Sequence, residues 1–171
     1  MICHLQVPYK VKHTIWRAAG KALLTMHNLL RRGVVRYSCC PNCKFDGEET
    51  IHSLWGYRRL FVIWETDDKL KKLLSKCFIL FVDFWAAVLI RRDQINVDLL
   101  ATILWLIWDR RNATRLGEAI MEYQLIQAKA KILQLEFKSA QVLDRRGSLE
   151  SLRVARWIPS TIHIPTSQGK F

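Results

Sequence analysis

Two thiols separated by two residues, Cys40-Pro41-Asn42-Cys43, form the spacing by which a tight turn presents a pair of thiolates to one tetrahedral zinc ion. His52 lies nine residues further on, at the start of an apolar run, and its imidazole suits the same ion. One turn beyond His52, the position that would aim at that ion is Tyr57. A phenol of pKa about 10 is a poor zinc ligand at neutral pH. The spacing therefore predicts a Cys2His centre for Zn2+ built from Cys40, Cys43 and His52, with Tyr57 at a weak fourth position. Cys39 is an awkward substitute, because adjacent thiolates rarely reach one ion, and water would fill the place as in an open site. Glu48 and Glu49 read as acids at a helix start, favoured by the dipole. No catalytic residue is expected: the other acids are scattered along amphipathic helices, and there is no Gly-rich phosphate loop.

The charge around this cluster is one-sided. The chain has 27 Lys+Arg against 15 Asp+Glu, a formal net charge of +12 and a pI near 9.8. That balance favours polyanionic partners, RNA or DNA before a membrane. Residues 1–44 hold eight basic residues and no Asp or Glu. Of these, Lys10, Lys12, Arg17, Lys21, Arg31, Arg32 and Arg36 are the candidate contacts to a nucleic-acid backbone. A solvated helix face is the plainer reading of the same run. His13 and His27 belong to the same basic segment and face solvent or phosphate rather than metal.

Two apolar runs, 77–90 and 99–108, are shorter than the ~20 residues that span a bilayer, so they are expected to be buried helices and no membrane is implied. Three of the five cysteines fall within residues 39–43, which is not a disulfide framework, and the start of the chain has no secretory apolar region. An intracellular setting, nucleus or cytoplasm, is the expectation.

The elements that must position these residues read as mainly α, a small helical zinc-knuckle-like domain followed by a helical bundle with a long heptad-bearing helix. A first helix begins after Pro8, with Ile15, Trp16, Ala19, Ala22 and Leu23 on one face. Thr25 caps a short second helix that Gly33 closes. The run from Thr50 to Trp64 looks helical, and Glu65-Thr66-Asp67-Asp68 resets the chain. Residues 69–90 form one helix or two, and 97–111 another. In 112–146, Met121, Leu125, Ala128, Ile132, Leu135, Ser139 and Val142 repeat in steps of four and three, a coiled-coil seam. Packing on its own bundle is the first expectation, and self-association through residues 121–142 the second. Trp16, Trp55 and Trp64 read as core, Cys77 as a buried small hydrophobe, Asp83 as helix surface, and Arg110 and Arg111 as a solvent edge. The domain reading is 1–64, 65–146 as a helical linker, and an extended tail over 147–171.

These strings resemble the reverse-transcriptase zinc-binding domain of plant non-LTR (LINE-type) retrotransposon polyproteins. The resemblance is carried by VPYKVKHTIWRAAGKALLTMHNLLRRGVV, then CPNC, then EETIHSLWGYRRLFVIW. It continues in Trp105-Leu106-Ile107-Trp108-Asp109-Arg110-Arg111-Asn112, similar to a W-x-I-W-x-x-R-N helix, and in Trp157-Ile158-Pro159, similar to the lead-in to an RNase H domain. The resemblance implies that Cys40, Cys43 and His52 match three zinc ligands, with Tyr57 where the family has a fourth cysteine. It implies an accessory module truncated before RNase H, with neither polymerase nor nuclease residues of its own. The function expected is non-catalytic nucleic-acid binding. The alternatives are a structural or self-associating module, or the relic of a decayed element.

Overall fold

One helix is apolar on nearly every side, and the rest of the chain is arranged around it. In the computed structural model, residues 2–44 and 47–154 are described, with side chains described to residue 143. The helices are α1 (Tyr9–Ala19), α2 (Met26–Arg31), α3 (Phe61–Trp64), α4 (Asp68–Leu74), α5 (Phe81–Ile90), α6 (Val97–Leu116) and α7 (Tyr123–Val154). No strand occurs among the described residues, so the fold is mainly α as expected.

Helix α6 buries Leu100 through Leu104, then Leu106, Ile107 and Trp108, a pattern a helix adopts only when neighbours cover it all round. Helix α1 and the turn around His52 pack against it, and α5 packs on α1. Asn96 caps its start, its side chain accepting from the Leu99 N–H at 3.0 Å. Gly117, at φ 71°, ends it in the left-handed conformation that glycine tolerates. One hydrophobic core runs from Leu5 to Ala130 and crosses position 64 without a break. Met1–Lys138 forms one compact unit, and a second begins at Ser139.

Local chemistry explains several elements. Helix α1 starts after Pro8, and α2 is capped by Thr25, whose hydroxyl accepts from the Asn28 N–H at 3.2 Å. Buried Asn28 donates through Nδ2 to the carbonyls of Lys21 and Leu23, both at 2.8 Å, which holds the link between the two helices. Asp67 caps α4 by accepting from the Lys69 N–H at 2.8 Å.

Other expectations are corrected. The run 50–64 is not one helix: His52–Gly56 is a π-helical turn, Tyr57 is extended at ψ 122°, and a 3-10 turn leads into α3. Trp55 and Trp64 are core, with ring centroids 4.7 Å apart, but Trp16 is 63% exposed, because α1 buries Val11, Thr14, Ile15 and Ala18 instead. Cys77 is exposed, since residues 75–80 are non-helical and α5 starts only at Phe81. Asp83 is on the surface as expected. Met121 precedes α7, and Leu125, Ile132, Leu135 and Val142 are exposed; the helix turns Tyr123, Ile126 and Ala130 inward in their place. Beyond 147, α7 stays helical to Val154, and Trp157-Ile158-Pro159 lies outside the described residues.

Arg110 and Arg111 form no solvent edge, for both are buried. The Arg110 guanidinium lies over the Tyr123 ring at 3.8 Å, donates from Nε to the Met121 carbonyl at 2.6 Å and from Nη1 to the Tyr123 hydroxyl at 2.9 Å. This ties the end of α6 to the start of α7. Arg111 pairs with buried Glu48, its Nε donating to Oε1 at 3.0 Å and its Nη2 to Oε2. A buried charge stripped of its partner is strongly destabilising. Arg111→Met is therefore expected to cost about 3–5 kcal/mol in urea unfolding followed by helical circular dichroism. The double variant with Glu48→Leu should lose less than either single change, since it leaves no unpaired charge.

Candidate metal centre

The turn that carries the first two thiols is closed by the Lys44 N–H donating to the Cys40 carbonyl at 2.9 Å. Lys44 takes φ 62°, a left-handed conformation that costs a non-glycine residue about 1–2 kcal/mol. The Cys40 sulfur is buried and Cys43 is exposed. Backbone N–H groups of Cys43 and Asn42 point at the Cys40 sulfur, an arrangement that favours a thiolate there. Burial works the other way and outweighs them, pushing the Cys40 thiol above its ordinary pKa.

The third ligand arrives on the π-helical turn. The Tyr57 N–H donates to the His52 carbonyl at 2.9 Å, five residues back, which widens the turn. Ser53, Leu54 and Trp55 are buried in the core beneath, and His52 is left half-buried beside the knuckle. Its Nε2 lies 3.4 Å from the Cys43 sulfur. Burial lowers its pKa below 6.5, against an opposing pull from Glu48, so the ring is neutral and able to ligate at pH 7.

The donor atoms of Cys40, Cys43 and His52 all lie within 4.8 Å of one another. Two ligands on a tetrahedral zinc at the usual bond lengths are about 3.5–3.8 Å apart. The three residues therefore fit zinc in donor type and in spacing, and two thiolates with a neutral imidazole would cancel the charge of the dication. Zinc held there would clamp the cysteine turn to the core, because His52 is anchored to it by Leu54 and Trp55.

The fourth position is not served by Tyr57. Its side chain is buried, and its hydroxyl is hydrogen bonded with that of Tyr123, whose ring centroid is 6.2 Å away. Burial, Tyr57 and the opposing pull of Arg110 together leave the Tyr123 phenol pushed up to about 12. Among the described residues no other Cys, His or acidic side chain joins the three, Cys39 included.

Glu48 is the residue whose role the sequence hides. Its carboxylate accepts from the Met26 N–H at 2.8 Å and pairs with Arg111. Its own N–H donates to the Ser38 carbonyl at 2.9 Å, and its carbonyl accepts from the His27 N–H at 3.3 Å. It is a strap between α2, the cysteine segment and α6, and not an acid at an exposed helix start. Its signal was the Arg110–Arg111 pair following the apolar run of α6, since a buried guanidinium needs hydrogen-bond partners, and for Arg111 that partner is an acid. Glu49 is exposed.

Residues 1–56 match the family model for zinc-binding in reverse transcriptase. The match contains all three ligands and stops one residue short of Tyr57. No curated protein and no solved structure matches the chain at a significant level. No helix among the described residues is long and apolar enough to cross a membrane.

The basic residues of the matched segment divide by their partners. Lys21, Arg31, Arg32 and Arg36 are exposed. Lys10 is exposed too, its ammonium 4.2 Å from the Trp105 ring centroid. Lys12 donates to the Cys3 carbonyl at 3.1 Å. Half-buried Arg17 spends Nε and Nη2 on the Ala22 carbonyl, at 3.1 and 2.8 Å.

Cobalt substitution tests the centre. Co2+ is expected to give a thiolate-to-metal band at about one equivalent per chain, and Cys43→Ser or His52→Ala should weaken binding by at least about tenfold, or 1.4 kcal/mol. Tyr57→Cys, which supplies a third thiolate as the fourth ligand, should tighten it. Absence of the band in the parent chain at micromolar metal would exclude a working three-ligand site.

Proposed function

We propose that the protein is a non-catalytic nucleic-acid-binding accessory module of a retrotransposon reverse transcriptase, with a Cys40–Cys43–His52 zinc knuckle holding basic helices against an RNA or DNA backbone. Residues 1–64 would form the zinc-binding module and 65–146 its helical connection. The plant LINE-type origin suggested by the sequence resemblance belongs to the same proposal.

The observation that carries this reading is the set of exposed cations, Lys10, Lys21, Arg31, Arg32 and Arg36, on a 44-residue stretch without an acid. The nearest buried acid, Glu48, is already neutralised by Arg111. A surface of this kind attracts phosphates without reading sequence. If the five exposed cations each neutralise one phosphate on a duplex, log K against log[salt] has a slope on the order of −4 to −5. Fluorescence anisotropy with a labelled duplex measures it. Replacing Arg31 and Arg32 with Gln should weaken binding and make the slope shallower by about 2. Affinity that does not change between about 50 and 200 mM salt would overturn the reading.

A second reading has its own support. Leu125, Ile132, Leu135 and Val142 are exposed at heptad spacing on α7, where a coiled-coil partner would cover them. A second copy is the simplest partner, since Lys131 of one helix and Glu136 of a parallel copy fall at facing flank positions. Sedimentation should then show a concentration-dependent dimer, shifted to monomer by Leu135→Glu. A strictly monomeric profile at high micromolar concentration would remove this reading.

A further inference from the structure

Helix α1 has a second face that the metal centre and the core do not use. Tyr9, His13 and Trp16 follow one another at spacings of four and three, so they line one side of the helix. Their rings are stacked, Tyr9 on His13 with centroids 6.0 Å apart at 20°, and His13 on Trp16 with centroids 6.0 Å apart at 25°. All three are exposed, Tyr9 at 80% and Trp16 at 63%. Large aromatic rings left in water in a continuous row mark a surface that something else covers.

The charges beside the row narrow what that is. At 100° per residue, Lys12 falls on one flank of the stripe, and Lys10 and Arg17 on the other. The hydrogen bonds of Lys12 to Cys3 and of Arg17 to Ala22 go to neutral carbonyls, so these side chains keep their charge while being held in place. An apolar protein partner would have to bury or oppose these cations. An unpaired nucleic-acid strand suits both features at once: its bases have ring faces, and its phosphates are anionic. Double-stranded DNA suits only the cations, because its bases are already stacked.

We infer that the Tyr9–His13–Trp16 row is a stacking platform for the bases of single-stranded RNA or DNA, with Lys10, Lys12 and Arg17 alongside for its phosphates. This rests on the nucleic-acid reading above and deepens it by naming the strand state of the ligand. Stacking adds a contribution per base that charge does not, and it is tolerant of sequence. The row therefore makes single strands the preferred form and gives that preference a component that survives added salt.

The test compares the full-length chain with Trp16→Ala, Tyr9→Ala and Trp16→Phe, against an oligo-dT strand, an oligo-U strand and a DNA duplex of equal length. These positions are exposed, and circular dichroism checks that the helices are retained. Trp16→Ala is expected to weaken single-strand binding by about fivefold or more and to leave duplex binding within about twofold, with Trp16→Phe retaining most of the affinity. Tryptophan fluorescence quenching on oligo-dT addition should fall in Trp16→Phe, since the stacked indole is gone. Equal losses on single strand and duplex, or no loss on either, would overturn the platform while leaving the charge-driven reading standing. Failure of the parent chain to bind any of the three probes would overturn both. A change of sedimentation state in Trp16→Ala with unaltered oligo-dT affinity would assign the row to a protein interface and overturn the platform.

Discussion

The ion pair between Glu48 and Arg111 is the constraint on which the site depends. It links residues 63 positions apart and lies within 3% of full burial on both sides. Burying two charges is costly unless their hydrogen-bonding capacity is met. Here the carboxylate takes two donors from the guanidinium and a third from the Met26 N–H. Asn112 accepts another guanidinium N–H at 3.3 Å, and the Trp108 ring centroid lies 5.0 Å from the guanidinium carbon. The pair has one geometry in which all of this is met, which suits it to setting position rather than to adding net stability.

What it positions is a segment with little core of its own. Among the described residues of 34–49 none is helical, and Cys40 and Glu48 are buried anchors of the segment. Glu48 ties this segment to α2 through Met26 and His27, and to α6 through Arg111. The next residues, Thr50 onward, enter the π-helical turn, whose Trp55 packs on Trp64 and on Phe84 at a centroid distance of 4.5 Å. The knuckle and the histidine are thereby supported from opposite ends, which brings their donor atoms within 4.8 Å of one another. The same carboxylate is felt at both ligands: it opposes the lowering of the His52 pKa and adds to the raising of the Cys40 pKa.

The two exposed stripes, on α1 and α7, have a common cause. The core is formed around α6, and each neighbouring helix spends only one narrow face on it. On α1 that face is Val11, Thr14, Ile15 and Ala18; on the first part of α7 it is Tyr123, Ile126 and Ala130. Both helices carry a second apolar or aromatic set that the core has no space to accept.

Much was legible in the amino-acid order, where the deciding forces are local. The starts of α1 and α2 follow from Pro8 and Thr25, because a cap or a fixed φ acts within a few residues. The Cys40–Cys43 turn and its pairing with His52 were readable from ligand type and spacing. The all-helical class followed from periodicity. The faces and partners were not readable. Periodicity shows that Trp16, Leu125 and Ile132 share sides of helices, yet which side meets the core is settled by competition with Val11, Ile126 and the girth of α6. Nor does spacing show that Tyr57 turns to Tyr123, or that an arginine near the end of α6 finds Glu48. Contacts of that kind join distant parts of the chain, so their free energy depends on the closed fold and only the tertiary structure decides them.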